Sequence, residues 1–299
     1  MSGREVVTLG TASQVPTRTR AHHSTLLRFD GHTVLFDPGE GTQRQLIRAG
    51  IATGSIDRIC ITHAHGDHCL GLPGVLQRIS LDGRAAPVDV YYPSSAEPYI
   101  ARLRHASAYE DHADVRLHPC TGGILDDQPM GLRAAALSHA IDTLGYRLEQ
   151  PAGNRLHADK AAAAGVFGPA RRELLETGAV SVDGRRVHLA EVSEPRPGRS
   201  MAFVMDTRRC EGALELADNV DLLVIEATFT EDQRDLAEVA GHLTAAQAAR
   251  IAVDAGAKRV VLTHFSQRYH DLTEHLSQAQ ASAPGLDIVA ANDLDRFSL

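Results

Sequence analysis

The chain has 299 residues, 43% hydrophobic and 23% charged, with a net charge of −8 and 16 histidines. That balance excludes a disordered chain, and no apolar stretch reaches the roughly 18–20 residues needed to cross a bilayer. With no basic-then-apolar leader at the N-terminus, a cytoplasmic enzyme with no membrane partner is expected. The negative charge disfavours a polyanionic partner, yet the pairs Arg18 and Arg20, Arg44 and Arg48, Arg171 and Arg172, Arg185 and Arg186, and Arg208 and Arg209 can build local basic strips. Four cysteines, Cys60, Cys69, Cys120 and Cys210, form no C-x-x-C pair, so neither a thiolate metal site nor a disulfide framework is indicated.

In chain order, Glu5–Gly10, Ser24–Phe29 and Thr33–Asp37 read as strands, with Asp30-Gly31 as the hairpin turn between the last two. Glu40–Ala49 reads as a helix stopped by Gly50. Arg58–Thr62 is a short apolar run of the kind that forms a buried strand, and it leads straight into His63. Val88–Tyr92, Leu132–Leu137, Met201–Met205, Asp221–Ile225 and Arg259–Thr263 continue the strands, and Thr244–Ala255 is a helix. Asp37, His63, His139, Asp206, Glu226 and His264 all stand at strand ends, where ligand sites gather in α/β proteins. From about Gln150 to Ser200 the chain turns rich in Ala, Gly, Pro and Arg. It reads as an excursion with a short helix or two and a hairpin around Val182-Asp183-Gly184-Arg185.

The run His63-Ala64-His65-Gly66-Asp67-His68 places three imidazoles and a carboxylate within six residues. Nitrogen and carboxylate oxygen without thiolate suit zinc or manganese in an open, catalytic site. One cation would leave part of this set unused. With His139, Asp206 and His264 as further donors, the pattern fits a two-metal hydrolase in which Asp206 bridges the ions.

These motifs resemble the metallo-β-lactamase superfamily and, more closely, the ribonuclease Z family. The resemblance runs from Leu9-Gly10-Thr11-Ala12 and Val15–Arg20, through Phe36–Gln45, the metal run with Gly71–Gly74, Ser138-His139 with Gly145–Arg147, and Asp206-Thr207-Arg208, to Leu262–Tyr269. Glu226–Phe229 and Gly241–Thr244 resemble the segments that supply an acid-base glutamate and histidine. Pro38 stands where many members have cysteine, Ala21 where asparagine is common, Met205 where glycine precedes the aspartate and Ile225 where histidine precedes the glutamate.

The resemblance implies an α/β protein, a metallo-β-lactamase αββα sandwich over residues 1–299, with 150–200 as an inserted, protruding flexible arm. It implies two Zn²⁺ per subunit, with Mn²⁺ as a substitute: His63, His65 and His139 on one ion, Asp67, His68 and His264 on the other, Asp206 between them. Asp67, Glu226 and His242 would be catalytic, and Arg18, Arg20, Gly168, Pro169, Arg171 and Arg172 would contact RNA. The implied activity removes the 3′ trailer of precursor tRNA after the discriminator base, leaving a 3′ hydroxyl on the tRNA and a 5′ phosphate on the trailer, by a homodimer. A small-molecule phosphodiesterase or arylsulfatase of the same fold, and a non-enzymatic metal-stabilised nucleic-acid-binding module, are the alternatives.

Overall fold

The computed structural model describes residues 4–126 and 130–299. The chain divides into two compact units, one running up to Leu148 and resuming at Ser200, the other comprising Glu149–Arg199. The first part of the chain gives strands β1 (Glu5–Gly10), β2 (Ser24–Phe29), β3 (His32–Phe36), β4 (Arg58–Cys60), β5 (Val88–Pro93), β6 (Val115–Cys120), β7 (Gly123–Asp126), β8 (Gly131–Leu137) and β9 (Thr143–Gln150). The second unit contributes β10 (Gly153–Leu156), β11 (Ala179–Val182), β12 (Arg185–His188) and β13 (Ser193–Arg196). The chain then adds β14 (Arg199–Val204), β15 (Leu222–Glu226), β16 (Arg259–Thr263), β17 (Asp287–Ala290) and β18 (Arg296–Ser298).

The first unit holds two seven-stranded sheets, in the orders β18-β1-β2-β3-β4-β5-β6 and β17-β16-β15-β14-β9-β8-β7. Side chains alternate across a strand, so a strand buried on both faces must be apolar at every position. The apolar runs Val6-Val7, Leu26-Leu27, Val34-Leu35-Phe36 and Leu222–Ile225 within β1, β2, β3 and β15 show this, with the polar residues of these strands confined mostly to their ends. Val6, Leu27, Val34, Phe36 and Val224 meet in a core that also takes Tyr146, Met201 and Phe203 from the second sheet. Their neighbours Val7, Leu26 and Leu35 turn the other way, onto a layer with Leu46, Val75, Leu76 and Ile79 from helices Thr42–Arg48 and Leu72–Leu81. Leu223, Ile225, Val260 and Leu262 do the same on the far side, against Ala245, Ala248, Ala249 and Ala252 of helix Ala245–Asp254. The result is an αββα sandwich, the expected fold class.

The predicted helix over Glu40–Ala49 begins only at Thr42, because Gly41 adopts a left-handed conformation with φ 83°. Both hairpin turns form with positive φ, at Asp30 (48°) and Gly31 (92°) and at Asp183 (48°) and Gly184 (79°). In the second unit β11 pairs with β12 and β10 with β13, around a small core of Ala161, Val166, Leu174, Val180, Val187 and Val192. Among the described residues no helix is long and apolar enough to cross a membrane, and all four cysteines are free thiols.

His275, in helix Thr273–Ser282, is fully buried edge-on to Phe265 and Tyr269. Burial, with the Arg20 guanidinium nearby, pushes its pKa down to about 4. Below pH ~6.5 the unfolded chain binds a proton that the folded chain refuses, so the fold loses up to roughly 3 kcal/mol as pH drops from 6.5 to 4. Urea unfolding of metal-free protein at pH 7 and pH 4.5 should show His275→Leu losing less stability than wild type. Parallel losses would mean that His275 carries no such penalty.

Candidate metal centre

The strand ends at which polar residues were expected come together. β3 and β4 run parallel, as do β14, β15 and β16, so their C-terminal ends lie at common edges. After β4 the chain passes His63, bends at Ala64 and His65 and turns through the short helix Gly66–Cys69, which carries Asp67 and His68. The turn lies tightly against the loop after β3. The Gly71 amide donates to the Pro38 carbonyl at 2.8 Å, and a Cβ on Gly39 would stand 2.2 Å from the Asp67 carbonyl, so no other residue fits there. Asp37, Asp206 and His264 have φ of 45°, 46° and 63°. Each departs from the ordinary non-glycine regions at a cost of about 1–3 kcal/mol, the kind of strain that collects at functional sites.

Two donor sets result. Ligand atoms of His63, His65, His139 and Asp206 all lie within 4.8 Å of one another, and so do those of Asp67, His68, Asp206 and His264. Asp206 offers a different oxygen to each. Its Oδ2 is 3.6 Å from His63 Nε2 and 3.8 Å from His139 Nε2, and its Oδ1 is 3.1 Å from His264 Nε2 and 3.4 Å from His68 Nε2. Cys69 belongs to neither set.

Every histidine of the two sets but His65 is held by Nδ1, which turns Nε2 inward. Ring orientation and tautomer are fixed this way by groups behind a metal site. His68 Nδ1 donates to Asp37 Oδ2 at 2.8 Å. His63 Nδ1 donates to the Thr62 hydroxyl at 3.0 Å, and that hydroxyl in turn donates to Asp37 Oδ2 at 2.8 Å. The same relay recurs in the other half. His264 Nδ1 donates to the Thr228 hydroxyl at 2.9 Å, and Thr228 donates to Glu226 Oε2 at 2.6 Å. His139 Nδ1 donates to the Gly241 carbonyl at 2.9 Å; Gly241 has φ 79°, and a Cβ there would stand 2.8 Å from the ring nitrogen.

The arrangement fits divalent cations. His68 Nε2, His264 Nε2 and Asp206 Oδ1 are buried and have no hydrogen-bond partner among the described residues. Buried polar atoms left in this way are costly unless an ion satisfies them. Burial, with the neighbouring imidazoles, lowers the pKa of His63 and His65, which leaves them neutral and able to donate lone pairs. In the metal-free chain burial disfavours charge on His68 as well, but Asp206, Asp67 and Asp37 outweigh it and raise its pKa well above the usual value. Three buried carboxylates around one imidazole are a site short of positive charge.

Next to the donor sets, His242 Nδ1 lies 3.2 Å from both Glu226 oxygens and 4.0 Å from Asp206 Oδ2. Glu226 is fully buried and also accepts from the Thr207 and Leu243 amides at 2.6 and 3.1 Å. Burial lowers the pKa of His242, but Glu226 and Asp206 more than reverse this and raise it to about 9. The helix after it opens on a capping box, Thr244 with Gln247, which fixes the segment. His65, Asp67, His139, Asp206, His242 and His264 line one open cavity of about 280 Å³, together with Ser13, Gln14 and Arg268.

The other expected site residues lie elsewhere. Arg18 is exposed, whereas Arg20 is buried and donates to the Tyr269 carbonyl at 2.8 Å and the His270 carbonyl at 3.3 Å. Its guanidinium is engaged in holding the loop after His264. In the second unit Gly168, with φ 50°, precedes helix Pro169–Thr177, Arg171 donates to the Val166 carbonyl, and Arg172 pairs with Glu176. No sequence pattern pointed to Thr62 or the Gly241 carbonyl as supports. Nor did it reveal His23, fully buried with its ring 5.6 Å from His68, 5.4 Å from His264 and stacked on Phe203.

An αββα sandwich with a His/Asp centre for divalent metal at its strand ends defines a class, the metal-dependent hydrolases of the metallo-β-lactamase fold. A model of the metallo-β-lactamase superfamily matches residues 17–264. The chain is 56% identical to a ribonuclease Z of Nocardia farcinica, covering 100% of this chain and 99% of that one. It is 50% identical to one of Salinispora arenicola, covering 98% and 96%. Among solved structures it resembles the short form of human tRNase Z, with 28% identity, a TM-score of 0.70 and 98% of each chain covered. The chain belongs to the metallo-β-lactamase superfamily and, within it, to the ribonuclease Z family.

Proposed function

We propose that this protein is a zinc-dependent endoribonuclease that removes the 3′ trailer of precursor tRNA after the discriminator base. The observation that carries the reading is the Glu226–His242 pair in the same cavity as two donor sets sharing Asp206. Its full-length relatives at 40–56% identity are named ribonuclease Z.

His63, His65, His139 and Asp206 would hold one ion, and Asp67, His68, His264 and Asp206 the other. When bound, such ions supply Lewis acidity, lowering the pKa of a water toward neutrality and offsetting charge on the phosphate oxygens. Asp67 orients the water that attacks phosphorus and accepts its proton. The bond from phosphorus to the tRNA 3′ oxygen breaks in line, and His242, kept protonated by Glu226, gives that oxygen its proton. The products are a tRNA with a 3′ hydroxyl and a trailer with a 5′ phosphate. The Glu149–Arg199 unit serves as the tRNA-gripping arm through Gly168, Pro169, Arg171 and Arg172, and a homodimer lets one subunit's arm hold the tRNA that the other cuts. Arg18, exposed, adds an RNA contact outside the cavity, while Arg20 positions the 269–270 loop.

Purified protein with Zn²⁺ or Mn²⁺ should cut precursor tRNA once, just after the discriminator base. Deleting residues 155–195 should abolish this while hydrolysis of a small chromogenic phosphodiester persists. Failure of the metal-replete full chain to cut the RNA would overturn the substrate assignment. Unchanged tRNA cleavage by the deleted form would overturn the role of the arm.

A further inference from the structure

Beside the metal centre lies a second open cavity, of about 510 Å³, lined by Ala64, His65, Ala96, Tyr99, Ile141 and Asp142. His65 borders both cavities, so the second continues directly from the donor sets. Tyr99 and Ile141 are large apolar side chains left 54% and 39% exposed. Both stand on anchored backbone. Tyr99 is on helix Glu97–Arg104, whose first residue accepts a hydrogen bond from the Tyr92 hydroxyl, and the Arg102 guanidinium lies over its ring at 5.7 Å from the centroid. Ile141 sits in a loop pinned by Thr143 Oγ1, which donates to the Ile141 carbonyl at 2.9 Å, and by the Leu144 amide, which donates to the Thr62 carbonyl at 2.9 Å.

We propose, building on the RNA reading above, that this cavity receives the base of the first trailer nucleotide, stacked on Tyr99 with Ile141 against it. An aromatic ring in an open cleft is the usual platform for an unpaired base, and Arg102, over one face of the ring, adds a cation to the stack. His242, which faces the 3′ oxygen of the tRNA, lines the central cavity and not this one. The last tRNA nucleotide therefore lies on the His242 side, and the nucleotide beyond the cut leaves past His65. Asp142 at the rim repels phosphate and can accept a hydrogen bond from an exocyclic amine. Stacking accepts the face of any base, so trailers of unrelated sequence fit the same platform.

The test is kcat/KM for three matched precursor tRNAs: intact, abasic at the first trailer nucleotide, and abasic at the last tRNA nucleotide. Tyr99→Ala should lose about 10-fold on the intact substrate, the scale of one base–aromatic stack, and Tyr99→Phe should lose little. On the trailer-abasic substrate the Tyr99→Ala penalty should vanish, because wild type has already lost the stack. On the third substrate it should remain about 10-fold. Equal cleavage of the intact substrate by wild type and Tyr99→Ala, or the same penalty on intact and trailer-abasic substrates, would overturn the assignment and leave the nuclease standing. A penalty that vanishes only on the third substrate would also overturn it. A wild type that cuts none of the three would remove the RNA reading and this inference together.

Discussion

Replacing Asp206 by asparagine is expected to lower precursor-tRNA cleavage by about 10³-fold or more, the scale at which losing one preorganised electrostatic group acts, compounded by loss of metal. Asp206 is the only residue common to the two four-residue donor sets, and it gives one oxygen to each. Asparagine keeps the volume and tolerates the left-handed conformation at φ 46°, so the fold should survive. What it lacks is the second anionic oxygen. Bound metal, measured by elemental analysis, should drop by at least one ion per chain, while circular dichroism stays that of wild type. A variant that retained its full metal content and its rate would remove Asp206 from the bridge.

His242→Ala is expected to slow the chemical step by about 10²–10⁴-fold, the usual contribution of a positioned general acid. Metal content should stay unchanged, since His242 belongs to neither of the two proposed sets. Glu226, His242 and His264 also lie close enough to form a ligand set of their own. Metal analysis therefore decides between acid and ligand, with loss of an ion favouring the ligand. A precursor carrying sulfur in place of the 3′ bridging oxygen should be cut almost as well by the variant as by wild type, because a thiolate leaves without a proton.

The pH dependence follows from the same pair. An acid must be protonated to act, so kcat should fall as pH rises through the His242 pKa. Glu226 raises that pKa, and Glu226→Gln should therefore move the alkaline limb to lower pH. A limb that stays in place would detach Glu226 from His242.

Much of the donor set was legible because it is local. His63, His65, Asp67 and His68 share one turn after one strand, and no ordinary surface loop concentrates such residues. The two hairpins were legible for a similar reason, since Asp-Gly suits a turn that needs two positive φ values. The supports were not, because they join distant segments. Asp37 reaches His68 across 31 positions, and the Gly241 carbonyl reaches His139 across 102. A threonine beside a histidine carries no signal until the sheet brings a carboxylate behind it.

Arg20 shows the converse. Its sequence context is a basic loop, but its guanidinium is buried against Phe265, with Nη2 donating to the Tyr269 and His270 carbonyls. The β10–β13 ribbon went unread because Pro195 and Pro197 mark its second half as a turn, whereas Pro195 fits a two-stranded ribbon with a free edge.

The most direct test of the account is a titration of metal-free protein with Zn²⁺, following bound metal and precursor-tRNA cleavage in the same samples. Cleavage should rise with occupancy and level off at two ions per chain, giving a tRNA with a 3′ hydroxyl and a trailer with a 5′ phosphate. Full activity at one ion per chain, activity without metal, or no cleavage with both positions filled would contradict it.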